Sequence, residues 1–163
     1  TTGRLIGWLA KVLAEHPDQR HAVAEDRSLL NRTIDETLRF EPTGPHVARY
    51  IAEDFDAYGT TVPAGSAMLL LFGAANRDPR RYPDPDTFDI GRDNISHVTF
   101  GKGLHYCLGA NLARREIAVM FDELFRRLPD IHASGEPDML LSGFIHGIKR
   151  LPARFTPRPG GRD

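Results

Sequence analysis

Three features of the 163-residue chain predict a mainly α fold with small antiparallel β-sheets. Apolar residues recur at helical spacing from the first residues to Phe40, then come short β-prone pieces broken by glycine and proline, and a long amphipathic stretch opens near Cys107. No internal repeat cuts across that order.

Leu5, Ile6, Leu9, Val12 and Leu13 mark the first helix, which ends at His16 because the residue before Pro17 is pushed out of the α region. Only Thr1 or Thr2 could cap its start, so the helix reads as one entered part-way. A second helix is expected over residues 18–25 and a third over 28–40, with Ser28 as its N-cap and Pro42 as its stop. Residues 47–51, 60–62 and 67–71 read as strands of small ribbons, divided by Gly59 and by Pro63-Ala64-Gly65. Residues 76–93, with three prolines and many charges, read as an ordered surface meander. The last helix is expected over residues 108–128, starting directly at the cysteine. Its core stripe would be Leu112, Ile117, Met120, Phe121, Leu124 and Leu128. Two final strands, between Phe144-Ile145 and Phe155, and a disordered Pro/Gly tail complete the reading.

Composition excludes some partners. Twenty-one basic residues against twenty-two acidic ones give a net charge of -1, without the basic arm or stripe that nucleic acid or an anionic membrane selects. The longest apolar run, residues 67–72, is too short for a bilayer, and no signal peptide is visible, so a soluble cytoplasmic protein is expected. The single cysteine cannot form an internal disulfide. It is either a small buried hydrophobe or a reactive or metal-binding thiolate.

The neighbours of Cys107 favour the second alternative. In Phe100-Gly101-Lys102-Gly103-Leu104-His105-Tyr106-Cys107-Leu108-Gly109, glycines at 101, 103 and 109 allow positive φ and a close backbone approach to a flat ligand. Amides at the start of the following helix favour an anion, hence the thiolate. A thiolate on iron donates electron density and favours O–O cleavage.

This run resembles the Phe-x-x-Gly-x-x-x-Cys-x-Gly haem-binding signature of the cytochrome P450 family, including the histidine two residues before the cysteine. Glu36-Thr37-Leu38-Arg39 is similar to the family's Glu-x-x-Arg pair, and Arg92, in Phe88-Asp89-Ile90-Gly91-Arg92, falls where the family places the third member of a buried triad. The resemblance runs from the opening helix to about Phe155. It implies a mainly helical haem-thiolate portion with small accessory sheets, residues 1–163 being the C-terminal part of a larger domain whose N-terminal part is absent.

What the resemblance further implies is specific. Cys107 would be the sole protein ligand of a haem b iron, with Phe100, Gly101, Gly103 and Gly109 shaping the loop around it. Arg49 and His105 would hold the haem propionates. Thr1 would be the oxygen-activation threonine, with Thr2 as the alternative register, while His46 and His97 are read as structural. Residues 43–47, Val47 among them, together with Phe144 and Ile145, would line a pocket for a hydrophobic small molecule, O2 being the co-substrate. Electrons would come from NAD(P)H through a ferredoxin-like donor docking near Lys102, Arg114 and Arg115. The ending from Leu140 to Lys149 looks like actinobacterial members that oxidise sterols and methyl-branched lipids. The implied enzyme is a monooxygenase; the alternatives are a haem-thiolate isomerase, dehydratase or peroxygenase, or a truncated non-catalytic haem-binding fragment. The fragment by itself is expected to be inactive, and to self-associate through apolar faces on the opening helix (Leu5, Leu9, Leu13) and the cysteine helix.

Overall fold

A computed structural model describes residues 1–157. The expected Pro/Gly tail beyond them lies outside the described residues. Helix α1 (Thr2–Glu15) ends at His16, and α2 (Pro17–Glu25) begins with proline at its first position, where the missing N–H costs nothing. A short 3-10 turn (Arg27–Leu29) leads into α3 (Leu30–Phe40). Ser28 is not the cap. Asp26 takes that role, its Oδ1 accepting the Ser28 N–H at 2.9 Å, because the chain enters the 3-10 turn before the α-helix proper.

Strands β1 (Val47–Tyr50) and β4 (Ala67–Leu70) pair antiparallel, as do β2 (Phe55–Ala57) and β3 (Thr60–Val62). The sequence reading missed β2. Its two-residue loop is Tyr58-Gly59, with φ of 54° and 81°, the left-handed pair that a tight hairpin of this twist requires. Only the glycine advertised it. A short helix α4 (Phe72–Ala75) precedes the meander.

Helix α5 (Ala110–Arg127) starts three residues after Cys107 rather than at it. Its buried stripe is Ala110, Ile117, Phe121 and Phe125. Leu112 and Met120, expected inside, are exposed, since the helix is turned to set Phe125 against the core. The two strands expected between Phe144-Ile145 and Phe155 are β7 (Ile148–Arg150) and β8 (Ala153–Arg154), and their partners β6 (Asp138–Met139) and β5 (His132–Ala133), of two residues each, were not foreseen. Phe144 and Ile145 lie in the turn between β6 and β7, not in a strand.

The core is the meeting of α1, α3 and α5 with Phe88 and Ile90 of the meander. Leu5, Leu9 and Leu13 are all buried there, which removes them as an exposed surface for self-association. Their partners are α3 and α5, both within this chain. Helix α3 is unusual in burying Thr33, Glu36, Thr37 and Arg39 along with Leu30, Ile34 and Leu38. A helix enclosed from Thr33 to Phe40, with only Asn31 and Arg32 exposed, must satisfy its buried charges internally. Among the described residues, no helix is long and apolar enough to cross a membrane.

Helix α1 also fixes the segment after Phe144. Arg4 donates to the Ile148 carbonyl at 3.0 Å and Trp8 Nε1 to the His146 carbonyl at 3.2 Å. Glycine is needed at this approach, since a Cβ on Gly147 would fall 2.8 Å from Arg4 Cδ.

Candidate functional site

Glu36 and Arg39, one helical turn apart on α3, are both fully buried and joined by two parallel hydrogen bonds of 2.7 Å from Arg39 Nε and Nη2. The remaining donors of Arg39 reach backbone carbonyls of Asn76 (3.0 Å), Pro85 (2.8 Å) and Thr87 (3.0 Å). Glu36 also accepts the Asp89 N–H at 3.0 Å and faces Arg92 Nε at 3.4 Å. Arg92 in turn holds the carbonyls of Pro83, Asp84 and Thr87. The structure thus brings the three sequence-selected residues Glu36, Arg39 and Arg92 together. Two guanidinium forks and one carboxylate replace the regular hydrogen bonds that the proline-rich meander cannot make with itself.

Asn76 extends this network towards the cysteine, and the sequence reading missed it. Its side chain is fully buried; Oδ1 accepts the Val98 N–H at 2.9 Å and Nδ2 donates to Thr99 Oγ1 at 2.8 Å, while its own carbonyl holds Arg39. Thr99 Oγ1 donates to the Leu38 carbonyl at 2.6 Å. Nothing in a lone asparagine after Gly73-Ala74-Ala75 signals such a role.

The cysteine loop begins where these bonds end. Gly101 and Gly103 adopt φ of 73° and 69°, folding the chain so that the Cys107 N–H meets the Phe100 carbonyl at 2.8 Å. A side chain at Gly101 would sit 3.3 Å from the His105 carbonyl. From Lys102 to Gly109 every residue is exposed, Cys107 and His105 included. Leu104 and Leu108, at 103% and 102% exposure, flank the free thiol with uncovered apolar surface.

Behind the loop lies a second ionic cluster. Asp35, next to Glu36 but facing the other way, accepts from Arg114 Nε at 2.7 Å and stands 3.4 Å from His97 Nε2. Burial pushes the Asp35 carboxyl up, but hydrogen bonds from His97 and Arg114 outweigh it and hold the group below its ordinary value. The Arg114 guanidinium lies over the Phe100 ring at 4.7 Å.

Other sequence-selected residues are spread around this centre. Arg49 is partly buried on β1 and donates to the neighbouring Ala48 carbonyl at 3.0 Å. Thr1 is exposed at the start of α1, where its carbonyl accepts from Arg4 and Leu5 and its side chain caps nothing. Val47 is partly buried at the start of β1, facing Leu70 across the ribbon. Phe144 is exposed, with its ring edge-on to His46 at 6.1 Å, and Ile145 beside it is partly buried.

The family model "Cytochrome P450" matches residues 9–145. The chain belongs to the cytochrome P450 family. The methyl-branched lipid omega-hydroxylase of Mycobacterium tuberculosis is 42% identical over 158 residues, covering 96% of this chain and 37% of that protein. The vitamin D(3) 25-hydroxylase of Pseudonocardia autotrophica is 42% identical over 162 residues, 97% of this chain and 40% of that one. Among solved structures, CYP109E1 from Bacillus megaterium in complex with testosterone superposes with a TM-score of 0.91 at 34% identity, over 95% of this chain and 44% of that one. The chain therefore spans about two fifths of the length of the relatives it matches, and corresponds to the C-terminal portion of the P450 fold.

The P450 cofactor is haem b, and the cysteine loop fits it. A free thiol is presented outward between two fully exposed leucines, and a Cβ added at Gly103 or Gly109 would meet nothing within 4 Å, leaving open space of the kind a flat macrocycle needs against backbone. The donor set also suits the group. A free thiol is a donor of the kind haem iron takes, and among the described residues no group of three or more His, Cys, Asp or Glu side chains is placed to hold a metal ion.

Proposed function

We propose that this chain is the haem-thiolate portion of a P450 monooxygenase that hydroxylates a hydrophobic small molecule, with Cys107 as the iron ligand. The observation that carries the reading is the exposed Cys107 thiol, on a loop held from behind by buried polar bonds and bare of cover in front. Bound through a thiolate, haem supplies the activation of O2, one oxygen atom entering a C–H bond and the other leaving as water.

The chain's own residues have the remaining work. The Phe100 carbonyl fixes the Cys107 amide, and so the direction in which the sulfur points. Arg49 and His105 supply a guanidinium and an imidazole for the two propionates. Thr1 would offer a hydroxyl able to hold and pass a proton. Val47, Phe144 and Ile145 line the substrate side, their apolar surface excluding water and selecting an apolar substrate. A sterol or methyl-branched lipid suits those residues, and the relatives named for methyl-branched lipid and vitamin D3 hydroxylation support that class. Electrons would arrive from NAD(P)H through a ferredoxin-like protein, for which Lys102 and Arg115 remain exposed beside the loop.

The test is Cys107→His in the full-length protein. Wild type should give the strongly red-shifted reduced carbonyl band of thiolate-bound haem, and the variant should lack it. An unchanged band in the variant removes Cys107 from the iron. Turnover supported by hydroperoxide alone, with no response to a reductase, would move the enzyme to the peroxygenase class.

A further inference from the structure

The sequence places Arg114 in a docking patch, as one more solvated charge near the cysteine. Its surroundings say otherwise. Only 26% of its side chain is exposed, its Nε is bonded to Asp35 of α3 at 2.7 Å, and its guanidinium plane covers the Phe100 ring. His97 approaches the same Asp35 oxygen, at 3.4 Å, with its side chain 4% exposed and its ring 5.6 Å from that of Phe100. Tyr106, half exposed, joins the set edge-on to Phe100 at 6.3 Å. The His97 orientation is fixed by chain geometry, because Nδ1 accepts the Thr99 N–H at 3.3 Å and leaves Nε2 as the ring's donor towards Asp35.

We propose that Asp35, His97 and Arg114 are positioning residues for the Cys107 sulfur, acting through Phe100. Asp35 gathers a guanidinium and an imidazole, and these two, with Tyr106, all pack against the Phe100 ring. The Phe100 carbonyl then has one direction open to it, and that direction receives the Cys107 N–H at 2.8 Å. The arrangement answers a physical difficulty. A loop exposed from residue 102 to 109 buries too little to order itself, and its outer face must stay free for the ligand. Order has to be imposed from within, at the edge of the exposed stretch, where Phe100 is the last partly buried residue that carries a side chain. A planar guanidinium is suited to this as an ammonium is not, since it can stack on a ring and hydrogen-bond in its plane at once.

The proposal rests on the haem-thiolate reading, and its experiment separates the two. In the full-length holoprotein, Arg114→Lys keeps the positive charge but loses the planar stack, while Asp35→Asn keeps size and loses the anion. Two readouts apply: amide hydrogen exchange of the peptide spanning residues 100–110, and the rate at which the red-shifted carbonyl band converts to the shorter-wavelength form. Both variants should raise exchange in that peptide and speed the conversion, each by roughly 5- to 30-fold, as loss of one partly buried contact of this kind implies. The double variant should be no worse than the worse single one, because both act through one contact. Asp35→Glu should restore most of the wild-type exchange.

Exchange and conversion within twofold of wild type in both single variants, with or without a fall in reductase-driven rate or in melting temperature, would overturn the proposal and return Arg114 to docking or to general stability. Strictly additive effects in the double variant would overturn it too. Failure of the haem-thiolate reading would look different: wild type itself would lack the red-shifted band, and the exchange comparison would still report on the network.

Discussion

Replacing Arg39 by alanine is the most demanding test of the buried network. The guanidinium makes five hydrogen bonds: two at 2.7 Å to Glu36, and three of 2.8–3.0 Å to the carbonyls of Asn76, Pro85 and Thr87. Its removal leaves a fully buried carboxylate with only the Asp89 amide and a longer contact to Arg92. Breaking a buried pair in this way costs about 3–5 kcal/mol. Each carbonyl left without a donor adds about 1–3 kcal/mol unless water reaches it. A total of about 4–8 kcal/mol is expected if water enters the space vacated and satisfies most of the carbonyls. Set against a total stability of about 5–15 kcal/mol, that removes most of the folded population or all of it. Urea titration of the full-length holoprotein, followed by haem absorbance and by far-ultraviolet circular dichroism, measures the loss. An exposed i,i+3 pair would cost about 0.2–0.5 kcal/mol. Arg39→Ala with full haem content and a stability loss under about 1 kcal/mol would show that these bonds carry little of the fold.

Two further outcomes follow from the structure. Burial raises the Glu41 carboxyl above its ordinary value of 4.5, with Arg77 at 3.8 Å offsetting part of the effect. A raised folded-state value means stability that is fully present below the unfolded value and is lost as pH rises through the folded one. Urea midpoints should therefore fall from pH 4.5 upward more steeply in wild type than in Glu41→Gln, and identical slopes would contradict the burial argument. Asp35 shifts the opposite way and acts below 3.8, outside that window. Gly147→Ala should cost about 1–3 kcal/mol through overpacking against Arg4, and Gly7→Ala, whose Cβ would lie 3.2 Å from Ile148 Cβ, should cost less. Equal and negligible losses at both would show that α1 and the segment after Phe144 can separate freely.

The helices were legible because their signals are local. A proline at 17, apolar residues at three- and four-residue spacing and a stop at Pro42 place α1 to α3 within a few positions of where they lie. The rotation of α5 was not legible: Leu112 and Met120 are as apolar as Phe125, and what turns Phe125 inward is its packing beside Phe121 and under Arg20 and Arg27. The strands of the last quarter were too short to show any alternation, at two or three residues each. Glu36, Arg39, Arg92 and the cysteine loop were visible through their resemblance to the motifs of the cytochrome P450 family, an i,i+3 acid-base pair being weak by itself. Asn76, Asp35 and His97 were not, because each acts through a partner at least twenty residues away and none belongs to a spaced motif.

Helix α3 shows why those hidden residues sit where they do. Its successive residues Asp35 and Glu36 point about 100° apart, as adjacent helical positions must. One therefore serves the cysteine loop and α5, while the other serves the meander. Asn76 then joins the two sides, its carbonyl on Arg39 and its amide on Val98 and Thr99 just before Phe100. Apolar burial holds the meander only at Tyr82, Phe88 and Ile90, and it holds none of the loop from Lys102 to Gly109. The rest of the meander is charged and proline-rich, and the loop leaves its Leu104 and Leu108 uncovered. Directional bonds to a single enclosed helix are the remaining way to order both. They also couple the two, since any shift of α3 along its axis would strain the Glu36 and Asp35 contacts together. Loss of Arg39 should accordingly loosen the peptide spanning residues 100–110 even though Arg39 touches none of it. Hydrogen exchange confined to the meander in a surviving Arg39→Lys variant would refute that coupling.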